Sequence, residues 1–307
     1  MEHSRKRIAL LCCISVVLLI CLLSYCGLGR KDPALVSNSS IDINSLNALG
    51  RIEVIVREDG SGTRAVLNEI VGIISKESSG YTVDKTTDKA RIAFSTEDAI
   101  QYVAENENAI GYASIGVLHN RSDIRVLSLE GIEGTKENMN NGKYKLFRPF
   151  LIAYIGEPDG VGNDFLNYLL SAGQAIVEQN YLSVRRTTSF LSDRSAGTVT
   201  VEGSSSMAAL MEKLAEEYMK INKNAAIEIS VSDTSIGLTK AMQRRCDFAV
   251  SSRPLRDYEK ELLNYKEIAK DGIAVIVHSD NTVADITINQ IFDVFTGNKD
   301  TWADIYR

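Results

Sequence analysis

Eight consecutive residues, Arg57-Glu58-Asp59-Gly60-Ser61-Gly62-Thr63-Arg64, join a β-rich run over residues 52–56 to an amphipathic stretch over 63–76. A cation, two hydroxyls and two glycines at a helix start can hold an anion. The first N–H groups of a helix have no partner within it, and the macrodipole is positive there. Gly60 and Gly62 allow the backbone a close approach. Ser61 and Thr63 add hydroxyl donors, and Arg57 can grip a tetrahedral oxyanion through two N–H groups. In this reading Asp59 orients Arg57 and does not touch the ligand. The same residues also fit a plain turn closed by an N-cap. No Gly-Lys-Ser/Thr follows, so the segment is not a P-loop.

Three more sites repeat the hydroxyl chemistry. Gly203-Ser204-Ser205-Ser206-Met207 follows a strand at 199–202 and opens a helix reaching about residue 221. Its apolar stripe, Met207, Leu210, Met211, Leu214 and Tyr218, has the i, i+3, i+4, i+7 spacing of a half-buried helix. Asp233-Thr234-Ser235-Ile236-Gly237 is a third hydroxyl-bearing helix entry, and Val250-Ser251-Ser252-Arg253 ends a strand with two hydroxyls. Each alone reads as a cap. Together they supply the neutral donors that a dehydrated oxyanion needs.

The elements that must position these sites alternate along the chain. Strands are expected at 109–113, 150–155, 227–231, 247–251 and 272–278. Helices are expected at 97–106, 163–181 and 236–244, the second carrying Phe165, Tyr168, Leu169 and Ile176 at helical spacing. Alternation of this kind predicts an α/β fold.

Several of these motifs, in a coherent order, resemble the phosphate-binding proteins of Pst-type ABC transporters, a periplasmic-binding-protein-like family. Residues 51–64, Asn108-Ala109-Ile110-Gly111-Tyr112, Asn141-Gly142-Lys143-Tyr144, Arg148-Pro149 and Leu170-Ser171-Ala172-Gly173-Gln174 are similar to the second half of that family. Residues 198–305 are similar to its first half, through the 203–207 turn, Thr234 and Gly237, Asp247-Phe248-Ala249-Val250-Ser251-Ser252-Arg253, Phe295-Thr296-Gly297 and Trp302. The resemblance implies a two-lobed Venus-flytrap fold of class II type, circularly permuted, behind an N-terminal hydrophobic helix. It divides the chain into an anchor at 1–28, a flexible spacer at 29–50, a lobe at 51–145 and a lobe at 146–307. One covalent crossing is expected near 145–152, with Gly50 and Arg307 close in space.

The same resemblance implies phosphate ligands: Arg57, Ser61, Gly62 and Thr63 from the earlier part, and Ser206, Met207 (through its amide), Thr234 and Ser252 from the later part. Some family members carry Asp where Ser252 stands. That Asp accepts a proton from phosphate and rejects sulfate, so sulfate is expected to compete better here. The implied function is extracytoplasmic capture of inorganic phosphate by lobe closure, for delivery to an ABC importer. The implied partners are the permease and its ATPase, with no cofactor and no metal. A surface sensor or interaction module that kept the fold is the rival reading.

The rest of the sequence bounds these readings. Arg5, Lys6 and Arg7 precede an uncharged apolar run over residues 8–25, which places the body outside the membrane as a lipoprotein or behind a single transmembrane helix. Leu23-Ser24-Tyr25-Cys26-Gly27 resembles a lipobox with Cys26 as the lipidation candidate, although Tyr25 replaces the small residue expected before it. Cys12, Cys13, Cys21 and Cys26 lie in or beside this run, so Cys246 is left without an intrachain partner in the body. A net charge of −6 over 307 residues argues against a nucleic-acid partner. Enzyme chemistry has no support. His3, His119 and His278 lack metal-ligand spacing, and Glu216-Glu217 reads as a solvated helix face.

Overall fold

The computed structural model describes residues 43–76, 81–119 and 121–306. The hydrophobic run and Cys26 lie outside the described residues. No helix among the described residues is long and apolar enough to cross a membrane.

Eight strands carry the fold: β1 Glu53–Arg57, β2 Arg91–Ala93, β3 Ala109–Ser114, β4 Phe147–Tyr154, β5 Gly197–Ser204, β6 Ala225–Ser232, β7 Phe248–Ser251 and β8 Asn264–His278. Four helices matter to the site: α1 Gly62–Val71, α2 Thr96–Ala104, α3 Ala208–Ile221 and α4 Thr234–Met242. The strands line up as β6-β5-β7-β4-β8-β3-β1-β2. β5 is parallel to β6 and β7, and β1 is parallel to β2 and β3. The two middle strands, β4 and β8, run antiparallel to their neighbours.

β8 belongs to both halves. Its first part, from Asn264 to Gly272, pairs with β4; from Ile273 to Val277 it pairs with β3. Residues 273–277 are at most 1% exposed, and their unbroken apolar run suits a strand covered on both faces. Two cores flank this strand. One joins Val54, Leu67, Ile110 and Leu146 with Ile273, Ile291, Phe295 and Trp302. The other joins Phe150, Phe165, Met211, Tyr218, Phe248 and Ile268.

The lobe expected at 146–307 therefore has a different extent. The second lobe spans about 147–272, and residues 273–306 return to pack on the first. The chain crosses twice, at Phe147 and again opposite it at Gly272. The physical reason lies in the apolar C-terminal helices. Ile288–Phe295 and Trp302–Ile305 bury their stripes against the first core, and Trp302 also donates Nε1–H to the Asn108 carbonyl at 3.0 Å. Arg307 lies outside the described residues; shortly before it, Trp302 N–H donates to the Gly50 carbonyl at 3.2 Å, and Arg51 pairs with Asp300 at 2.7 Å.

Three local expectations change as well. Residues Ile43–Leu49 form a helix instead of spacer, because Leu46 is fully buried in the first core. The helix expected at 63–76 ends at Val71, where Gly72 adopts the left-handed conformation (φ 82°), and Ile74–Lys76 is a strand. The helix expected at 163–181 is two, Gly160–Leu169 and Gln174–Asn180. Between them the Ser171 hydroxyl donates to the Asn167 carbonyl, and a Cβ on Gly173 would lie 2.9 Å from the Tyr168 carbonyl oxygen.

Candidate oxyanion site

β1 ends at Arg57 and leads into α1, capped by Ser61, whose hydroxyl accepts from the Arg64 N–H at 3.3 Å. The Arg57 backbone N–H donates to the Tyr112 hydroxyl at 2.9 Å, which fixes the strand end. Burial pushes that phenol up to about 12, so it stays protonated at neutral pH. The Arg57 side chain is 3% exposed and makes a two-point contact with Glu58, at 2.8 and 2.6 Å. Its remaining N–H groups donate to Thr96 Oγ1 at 2.9 Å and Ser205 Oγ at 3.0 Å. Thr96 starts α2 in the first lobe, and Ser205 follows β5 in the second. Arg57 thus spans the cleft between the lobes.

A web of hydroxyls closes around it. Thr63 Oγ1 lies 2.9 Å from Ser206 Oγ, across the cleft. Thr96 Oγ1 lies 3.0 Å from the same Ser206 oxygen, and the Thr96 N–H donates to Ser205 Oγ at 3.1 Å. On the second-lobe side Ser204 donates to Ser252 Oγ at 2.8 Å, and the Ser252 N–H donates to Thr234 Oγ1 at 3.3 Å. Met207 is buried in the second core, at the end of the turn that carries Ser205 and Ser206. A Cβ on Gly62 would fall 2.5 Å from Ser252 Oγ and 2.7 Å from Thr234 Oγ1. Only glycine lets the start of α1 press this closely on the opposite lobe. Gly60 meets Asp233 in the same way, and its carbonyl accepts from the Ser235 N–H at 3.2 Å.

Of the eight residues expected as ligands, Arg57, Gly62, Thr63, Ser206, Thr234 and Ser252 come together in one buried cluster, while Ser61 and Met207 are buried on the elements beside it. Asp59 is not. Its side chain is 93% exposed and pairs with Arg64 at 2.7 Å, one helical turn on, while Glu58 holds Arg57. Sequence reasoning missed five further members: Glu58, Thr96, Ser204, Ser205 and Arg148. The Ser95-Thr96-Glu97-Asp98 helix entry and the extra serines of the 203–207 turn were signals for three of them. An arginine inside the apolar β4 run was the signal for Arg148, which is 1% exposed.

The hydroxyl cluster can offer a tetrahedral anion many donors and at least one cation. Oxygens that accept as well as donate also satisfy one another within the cleft. A cavity of about 410 Å³ lies elsewhere on the second lobe, among Glu157, Asp159, Thr198, Arg244 and Asp247. Among the described residues no group of three or more His, Cys, Asp or Glu could hold a metal. Cys246 is free, and burial raises its thiol to about 11.

The chain matches the family model described as PBP superfamily domain over residues 38–172 and 188–305. It is 36% identical over 283 residues to a protein named Phosphate-binding protein PstS 2 of Streptococcus agalactiae, covering 91% of this chain and 96% of that one. A protein named Phosphate-binding protein PstS of Staphylococcus epidermidis is 36% identical over 117 residues, 36% of each chain. Among solved structures, a phosphate-binding protein of a phosphate ABC transporter from Streptococcus pneumoniae is 37% identical. It aligns with a TM-score of 0.67 over 83% of this chain and 100% of that one.

Proposed function

This chain belongs to the PBP superfamily and, within it, to the phosphate-binding proteins of phosphate ABC transporters, and from that premise we propose that it captures inorganic phosphate by lobe closure for import. The observation that carries the reading is the contact of Thr63 with Ser206 across the cleft, beside the Arg57 guanidinium. Phosphate oxygens take the places that these hydroxyls now offer each other. Because donors from both lobes then meet one ligand, phosphate favours the closed state by differential contacts.

The ligand set is Arg57, Ser61, Gly62, Thr63, Ser206, the Met207 amide, Thr234 and Ser252, joined by Thr96 and Ser205. Glu58 holds Arg57 in place. With Ser252 in place of an acidic acceptor, sulfate competes measurably. The closed form docks on an ABC permease served by its ATPase, at the outer face of the membrane to which the N-terminal segment or Cys26 anchors it. No chemistry is performed on the ligand, and nothing in the cleft calls for a cofactor.

The two halves stand in permuted order relative to much of the family. Support comes from the meeting of Gly50 with Trp302 and from the match to the Staphylococcus relative, which covers only about a third of either chain. A single alignment covers 96% of the Streptococcus agalactiae relative, so that protein keeps the same order as this one. Calorimetric titration of the full chain with phosphate, then with sulfate as competitor, tests the function. Absence of heat with phosphate at millimolar concentration would sink it.

A further inference from the structure

The strand register places Arg148 on β4 directly opposite Asp271 on β8. One position further, Phe147 faces Gly272, where both strands pass between the lobes. The hinge therefore contains an ion pair, with Arg148 Nη2 3.1 Å from Asp271 Oδ2 and side chains 0% and 1% exposed. Asp271 also accepts from the Gly116 N–H at 3.1 Å. Burial pushes the Asp271 carboxyl up, and the Arg148 guanidinium beside it opposes that rise.

The pair uses only one side of the guanidinium. Nη1 turns away from Asp271 into the cleft, where it donates to Thr63 Oγ1 and lies 3.5 Å from the Ser252 carbonyl oxygen. Nε–H has no partner among the described residues. Thr63 is the same hydroxyl that meets Ser206 across the cleft. A neutral hydroxyl is a weak partner for a fully buried cation, and an oxyanion is a stronger one.

We propose that Arg148 is a second cationic contact for the bound tetrahedral oxyanion, reaching it from the crossing strands beside Thr63. This rests on the oxyanion reading of the cleft. Arg57 and Arg148 then hold the anion from the two sides of the start of α1, and the ligand is tied to both lobes and to the strands that join them. The extra cation strengthens binding of phosphate and sulfate alike, since it reads charge and not a proton.

Removing the guanidinium alone would leave Asp271 buried and unpaired, which can cost the fold. The test therefore uses the full chain with Arg148→Gln and Asp271→Asn together, with thermal melting as the folding control. Calorimetric affinity for phosphate and for sulfate is expected to fall by about 10-fold or more, as for a lost charge-assisted hydrogen bond. Unchanged affinity in the folded protein overturns the proposal. Should the neutral pair fail to fold, Arg148→Lys serves instead. A single ammonium cannot both pair with Asp271 and reach the cleft, so the same loss is expected and unchanged affinity again overturns the idea.

A Thr63→Val background separates contact from positioning. If the Arg148 loss persists there, the guanidinium touches the anion; if it vanishes, Arg148 acts only through Thr63 and the proposal falls. If the unaltered chain takes up no phosphate, the reading of the cleft itself fails and this proposal fails with it. If the chain binds phosphate and Arg57→Ala abolishes that binding while the neutral pair does not, only the role of Arg148 is lost.

Discussion

The two faces of the cleft present donors at helix starts by different means. The first-lobe face carries Arg57, held by two contacts to Glu58, and adds Thr63 and Thr96. The second-lobe face offers Ser204, Ser205, Ser206, Thr234 and Ser252, a cluster of hydroxyls with no charged member. Hydroxyls satisfy one another, as Ser204 and Ser252 do, so this face can be buried without a counter-ion. A guanidinium cannot satisfy itself, and Glu58 is the cost of keeping it buried. The difference assigns two roles. In the capture proposed above, the first-lobe face is expected to supply the charged contact and the second-lobe face the neutral donors that complete the shell.

Arg57→Ala should break this comparison most severely. Loss of a charge-assisted contact costs on the order of 1.5–3 kcal/mol, so phosphate affinity should fall by about 10- to 150-fold in calorimetry. An unchanged affinity would show that the first-lobe face is not the charged half of the site. Next comes Gly62→Ala. Its Cβ would fall 2.5 Å from Ser252 Oγ and 2.7 Å from Thr234 Oγ1 across the cleft. Overpacking of about 1–3 kcal/mol should then oppose the approach of the two lobes and weaken phosphate binding in calorimetry. A closed form at saturating phosphate in X-ray scattering, with full affinity, would contradict it.

Ser252→Asp sharpens the neutral face. A carboxylate there accepts the phosphate proton and repels sulfate, so sulfate competition should weaken by about 10-fold while phosphate is retained. Equal loss of both anions would mean that the position reads charge alone. The smallest effect belongs to Asp59→Ala, because an exposed pair with Arg64 contributes little; phosphate affinity should change by less than about twofold. A larger loss would return to Asp59 the orienting role expected from sequence.

Much of this was legible in order along the chain. The 57–64 segment was legible as a helix start because such a start needs a cap, although the same residues also fit a plain turn. The 203–207 turn and Thr234 were readable for the same reason. Their partners were not. Asp59 and Glu58 are adjacent and chemically alike, and only the strand-to-turn geometry decides which carboxylate faces Arg57. Arg148 was visible as a cation in an apolar run, yet its neighbour Asp271 lies 123 residues away.

The amino-acid sequence by itself determined the local pieces: alternating strands and helices, and four hydroxyl-bearing helix or strand ends, among them the Arg57 segment. These follow from periodicity and capping, which act over a few residues. Tertiary structure alone decided that residues 273–306 return to the first lobe, that the chain crosses twice, and that Arg148 meets Asp271 between the lobes. Those choices depend on which apolar faces cover one another and which buried charges find partners. Burial is a property of the assembled core and not of any stretch of chain.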